Sequence, residues 1–127
     1  MAPVPVRYIV NDVQEAIDFY TRHLGFEVDM HPGPGFARIT RGDLALLLNT
    51  PGGGGGAGQA MPDGQVPAPG GWNRIQLVVN DLEAVVDGLK RDGARFRNEI
   101  VIGNGGKQVL LEDPSGNAIE LFEPHRR

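Results

Sequence analysis

The chain has 127 residues, enough for one domain that on folding buries about two-thirds of the surface its unfolded form exposes. A formal net charge of −4 with no Lys/Arg block argues against nucleic acid or an anionic membrane as partner, and the absence of cysteine excludes a disulfide, a thiolate nucleophile and Cys-ligated zinc. No apolar run approaches the roughly 20 residues of a membrane helix, and the first residues lack a basic segment followed by an apolar one, so a cytoplasmic protein is expected.

In chain order, Val6, Tyr8 and Val10 alternate with Pro5, Arg7 and Ile9 and predict a strand with one face committed to a core. Asp12 precedes Val13-Gln14-Glu15 as a helix N-cap, and Val13, Ala16, Ile17, Tyr20 and Leu24 form one apolar stripe that Gly25 can end. Phe19 and Tyr20 are expected in helix packing. Phe26 to Met30 resumes strand alternation, His31 to Gly35 reads as a turn, Phe36 to Thr40 as a third strand, Arg41-Gly42-Asp43 as a hairpin and Leu44 to Asn49 as a fourth strand. From 51 to 71 the composition turns to glycine, with Gly52 to Gly56 unbroken, and predicts a linker or mobile loop. It lacks the spacing of a phosphate-cradling loop.

After the loop the pattern repeats. Residues 73–79 predict a strand, Asp81 a helix cap, and Leu82, Val85, Val86 and Leu89 a helical stripe closed by Gly93. Strands follow around Ala94 to Phe96, around Lys107 to Glu112 with Ile100 to Ile102 leading in, and at Ala118 to Glu123. Val10-Asn11-Asp12-Val13 against Val79-Asn80-Asp81-Leu82 is the clearest internal match, so the chain reads as a duplicated βαβββ module.

The motifs Val10-Asn-Asp-Val with Ala16-Ile-Asp-Phe-Tyr-Thr-Arg-His-Leu-Gly-Phe26, and Val79-Asn-Asp-Leu with Asp113-Pro-Ser-Gly-Asn-Ala-Ile-Glu-Leu-Phe122, resemble the vicinal oxygen chelate superfamily. That superfamily includes glyoxalase I, extradiol dioxygenases, fosfomycin-resistance enzymes and bleomycin-resistance binding proteins. The resemblance implies an α+β fold of two βαβββ modules, a curved sheet around a ligand cup with helices outside: one domain over 1–127, with module one at 3–50, the Gly-rich loop at 51–71 and module two at 72–124. It also implies a homodimer.

In metal-dependent members the resemblance places four ligands on the first and last strands of the modules. The matching positions here are Pro5, Leu46, Arg74 and Glu120, of which only Glu120 can bind a cation, so no metal and no cofactor are expected. His23, His31 and His125 fall on a helix, in a turn and in the tail. Strand alternation then predicts a cup lined by Arg7, Ile9, Leu46, Leu48, Arg74, Gln76, Glu120 and Phe122, with Phe36 and Trp72 able to stack on a planar guest and Arg74 able to pair with Glu120. The expected function is metal-free sequestration of a bulky, partly aromatic natural product or antibiotic. The alternatives are an enzyme of the superfamily, of lyase, isomerase or dioxygenase type, acting on a small oxygenated substrate, and a pure interaction module.

Overall fold

The computed structural model describes residues 3–53 and 56–126. The order of elements is β1 (Val4–Ile9), α1 (Val13–His23), β2 (Glu27–Gly33), β3 (Phe36–Arg41), β4 (Leu44–Asn49), β5 (Ile75–Val78), α2 (Leu82–Arg91), β6 (Arg95–Phe96), β7 (Val101–Ile102), β8 (Gly106–Glu112) and β9 (Ala118–Pro124). The fold is α+β, with two mixed sheets and two helices among the described residues. The chain divides into two compact units, one ending at Gly70 and one beginning at Gly71. Among the described residues no helix is long and apolar enough to cross a membrane.

In the first unit the sheet runs β1-β4-β3-β2, with β1 parallel to β4 and the other pairs antiparallel. Asp12 caps α1 as its sequence position predicts, its Oδ1 accepting from the Glu15 amide at 2.9 Å. Gly25 follows the helix at φ +73°, a conformation that favours glycine. The helix buries Val13, Ala16, Ile17 and Tyr20, and Tyr20 meets Phe26 edge to face.

The register settles which strand residues share a face. Tyr8, Leu48 and Ala37 form one row, and Val6, Leu46 and Ile39 the next. All of these but Val6 are buried, as the side of the sheet that meets a helix must be. The opposite face carries Ile9, Asn49 and Phe36 in one row and Arg7, Leu47 and Arg38 in the next. This corrects the expected cup lining at two positions: Leu46 and Leu48, both 0% exposed, belong to the core and not to the face of Arg7.

The cause is loop length. The β3–β4 hairpin joins Arg41 to Leu44 across two residues, whereas β8 and β9 join Glu112 to Ala118 across five. Matching the modules glycine to glycine at the hairpins slips the register by one and reverses the face. The counterpart of Glu120, which pairs with Gln76, is therefore Leu47, which pairs with Arg7. A second difference lies at His31, which extends β2 instead of forming a turn.

In the second unit the path is β5-β9-β8-β6, with β5 parallel to β9, and β7 forms a short extra strand against β8. Asp81 Oδ1 caps α2 by accepting from Ala84 N at 3.1 Å. Ile75, Leu77, Val109, Leu111, Ile119 and Leu121 make the buried face, together with Leu82, Val86 and Leu89 of the helix. The turn before β9 is held by Asp113, 1% exposed, whose Oδ1 accepts from the Ser115 and Asn117 amides, both at 2.9 Å, while its Oδ2 accepts from Asn117 Nδ2 at 3.0 Å.

Candidate functional site

The first unit contains a pocket of about 1020 Å³. One wall is the β2–β3 connection, Pro32 to Phe36, and another is the glycine-rich segment at Gly53, Gly56 and Ala57; Arg7, Asn49 and Thr50 supply the polar side chains. Local chemistry explains these walls. Prolines at 32 and 34 and glycines at 33 and 35 cannot present long side chains, so the chain turns back without filling the space beside Phe36.

The segment after β4 folds against this turn. Thr50 N donates to Gly35 O at 3.2 Å, Gly53 N to Thr50 O at 3.2 Å and Gly52 N to Gly58 O at 2.5 Å. Gly58 is buried, and a Cβ there would overlap the Thr50 carbonyl oxygen, so only glycine closes this ring of backbone.

Arg7 reaches across its face of the sheet, and its Nη1 donates to Asn49 Oδ1 at 2.5 Å. The other arginine on that face, Arg38, donates from Nε to Asp29 Oδ2 at 2.8 Å and is neutralised. Among the described residues Arg7 has no carboxylate partner.

The second unit carries a different polar group. Glu120 is 7% exposed on β9, and both its oxygens are engaged: Oε1 takes Arg74 Nε at 3.0 Å and Nη2 at 2.9 Å, and Oε2 takes Gln76 Nε2 at 2.5 Å. Two N–H groups of one guanidinium thus converge on the single oxygen Oε1, a charge-assisted contact that leaves Oε2 to Gln76. Arg74 Nη1 also donates to the Trp72 carbonyl at 3.3 Å.

Trp72 is 69% exposed, and the Arg97 guanidinium carbon stands 4.8 Å from its ring centroid. Arg97 is itself held by Glu112 Oε2 at 2.9 Å, Gly71 O at 2.8 Å and Gly116 O at 3.0 Å.

Of the residues singled out from sequence, Arg7 and Phe36 line the pocket of the first unit. Ile9 lies half-buried in the row of Asn49 and Phe36. Arg74, Gln76 and Glu120 come together in the second unit, and Phe122 shares their face, beside Val78 and Gln108. Sequence reading missed Asn49 and Arg97. Asn49 ends the run Leu44-Ala-Leu-Leu-Leu48, where five apolar residues hide which face each one takes. Arg97 lies outside any long strand, and no local pattern marks it.

The residues present do not fit the family's metal. Pro5 and Leu47 in the first unit and Arg74 in the second offer no donor to a cation, and Glu120 is occupied by Arg74 and Gln76. Asp81, Glu83 and Glu123 of the second unit do bring carboxylate oxygens within 4.8 Å of one another. There, however, Lys107 Nζ already stands 2.6 Å from Glu83 and 3.9 Å from Glu123, and Glu123 Oε1 accepts from Leu82 N at 2.8 Å.

A sequence family described as Glyoxalase/Bleomycin resistance protein/Dioxygenase superfamily matches residues 3–121. CFP32 of Mycobacterium bovis, provisionally named a glyoxylase, is 31% identical over 122 residues, covering 91% of this chain and 42% of that protein. The chain thus spans less than half the length of this curated relative. Among solved structures, a lactoylglutathione lyase from Agrobacterium tumefaciens superposes with a TM-score of 0.74 at 21% identity, covering 96% of this chain and 92% of that one. TnmS3 from Streptomyces sp. CB03234, an antibiotic binding protein, superposes with a TM-score of 0.72 at 23% identity, covering 98% and 97%. Both structural likenesses concern the fold.

Proposed function

We propose that this chain, which belongs to the Glyoxalase/Bleomycin resistance protein/Dioxygenase superfamily, is a metal-independent binding protein that sequesters a bulky, partly aromatic small molecule, a natural product or antibiotic. The observation that carries this reading is the pocket of about 1020 Å³ walled by prolines, glycines and Phe36, with Arg7, Asn49 and Thr50 as its polar side chains. An apolar concavity of that size with few polar groups is the make-up of a small-molecule site. The fold alone does not decide the matter, since it carries a lyase in one relative and antibiotic binding in another.

What favours binding over catalysis in this reading is the donor set. Lewis-acid chemistry needs several converging N or O ligands, and the matching positions hold proline, leucine and arginine, with the remaining carboxylate already paired. Trp72 of the second unit, exposed with Arg97 on its ring, is proposed as a surface on which a planar group can stack. A homodimer, which the resemblance implies, is part of the same proposal.

Thermal melting against a panel of aromatic antibiotics tests the proposal. A ligand at about 100 times its Kd stabilises the folded state by about 2.7 kcal/mol and raises Tm accordingly. A panel that shifts neither Tm nor Trp72 fluorescence refutes sequestration. Protein purified without chelator is expected to carry well under one transition metal per chain, and a stoichiometric metal refutes metal independence. Light scattering on the eluted protein reads the dimer.

A further inference from the structure

The guest of this pocket is defined further by Arg7. We infer that the pocket selects an organic oxyanion, an aromatic body carrying a carboxylate, sulfonate or ionised phenol, which Arg7 holds by its guanidinium; this rests on the binding reading above. The chain as a whole is acidic, yet among the described residues that line the pocket the charged side chain is a cation, Arg7. The other cations near comparable positions are spent, Arg38 on Asp29 and Arg74 on Glu120. Arg7 instead bonds the neutral Asn49 amide through Nη1 alone.

That bond restrains the side chain without cancelling its charge, and a guanidinium has five N–H donors, so donors remain for a forked contact with an oxyanion. Asn49 is 1% exposed on β4 and makes a firm anchor. The neighbouring walls, Pro32, Pro34, Phe36 and Ala57, are apolar, which strengthens a charge–charge contact beside them and offers an aromatic face to the guest's body. A neutral or cationic guest of the same shape would leave Arg7 partly desolvated without a partner, which costs affinity.

The experiment compares two dyes with the same aromatic skeleton, 1-anilinonaphthalene-8-sulfonate and the neutral N-phenyl-1-naphthylamine, by fluorescence titration of the full chain. The sulfonate is expected to bind about tenfold more tightly, with the advantage shrinking as salt is raised. Arg7→Gln should abolish that advantage by weakening the sulfonate dye, with no matching loss for the neutral dye. Arg7→Lys, which keeps the charge and loses the fork, should retain part of it. Arg38→Gln, a cation on the same face but already paired and outside the pocket lining, should leave both dyes unaffected.

An unchanged ratio of affinities in Arg7→Gln overturns the oxyanion assignment and leaves the binding reading standing. An equal loss for both dyes in that variant, with an intact melting transition, also overturns it, because shape and not charge would then be at stake. Failure of both dyes to bind the unaltered protein overturns the pocket reading beneath it, and binding of the neutral dye alone overturns the oxyanion assignment.

Discussion

Arg74 and Glu120 test how a charge pair in this sheet is balanced. Glu120 has a side chain 9% exposed and Arg74 one 31% exposed, so the two single truncations are not equivalent. In Arg74→Met the carboxylate stays under cover with Gln76 as its remaining donor, and it loses two N–H bonds at 2.9–3.0 Å. Removing one partner of a fully buried pair costs about 3–5 kcal/mol, and discounting for the partial exposure here gives about 2–4 kcal/mol. In Glu120→Leu the freed guanidinium can turn to water, and the cost falls to about 1–2 kcal/mol. The double variant removes both charges together and should lie within about 1 kcal/mol of the unaltered protein, since an apolar pair of similar volume replaces an ion pair at little net cost.

Urea unfolding read by Trp72 fluorescence measures these values, because this single tryptophan belongs to the same unit as the pair. A shift in midpoint at constant slope isolates stability, and a loss of 2–4 kcal/mol corresponds to a fall in Tm of roughly 6–16 °C in a chain of this size. If Arg74→Met costs under about 0.5 kcal/mol, or no more than Glu120→Leu, the ion pair is not the stabilising contact described.

Other outcomes follow from the same geometry. Leu46→Ala should destabilise the first unit by about 2–5 kcal/mol, while Leu47→Ala, half-buried on the opposite face, should cost clearly less; equal losses in a denaturation series would mean the faces are assigned wrongly. Gly58→Ala places a methyl against the Thr50 carbonyl and 2.8 Å from Gly53 O, so the wall at Gly53, Gly56 and Ala57 must open and affinity for a pocket ligand should fall at least tenfold; unchanged affinity would show that this wall is dispensable. Glu83 titrates below its ordinary 4.5 because Lys107 donates a hydrogen bond to it, and Lys107 titrates above 10.5 for the reciprocal reason. The lowered acid's contribution is present above its unfolded value and lost as pH falls through the folded one, and the raised base's is present below 10.5 and lost as pH rises through its folded value. An NMR titration in which Lys107→Met fails to return Glu83 to the ordinary carboxylate range refutes the pairing.

Much of this architecture was legible along the chain because its signals act over a few residues. Asp12 and Asp81 cap helices through amides three residues on, Gly25 and Gly93 adopt positive φ after those helices, and the helical stripes repeat within two turns. The repeat of these signals exposes the duplication, and the motifs that accompany them point to the superfamily that the family match establishes. On the last strand, Ala118-Ile119-Glu120-Leu121 places one carboxylate among apolar residues, which was enough to foresee its pairing with Arg74.

What tertiary structure alone decided is which side chains share a face and a pocket. In Leu44-Ala-Leu-Leu-Leu48 every residue is apolar, so alternation carries no phase; the phase comes from the two-residue hairpin and from the parallel partner β1, dozens of residues away. That register sends Leu46 and Leu48 to the core and brings Asn49 beside Arg7. The glycine-rich stretch likewise reads as a linker by composition, because glycine has no side chain to signal a partner. It becomes a pocket wall only through backbone bonds to Thr50 and the ring closed by Gly58, contacts that composition cannot encode.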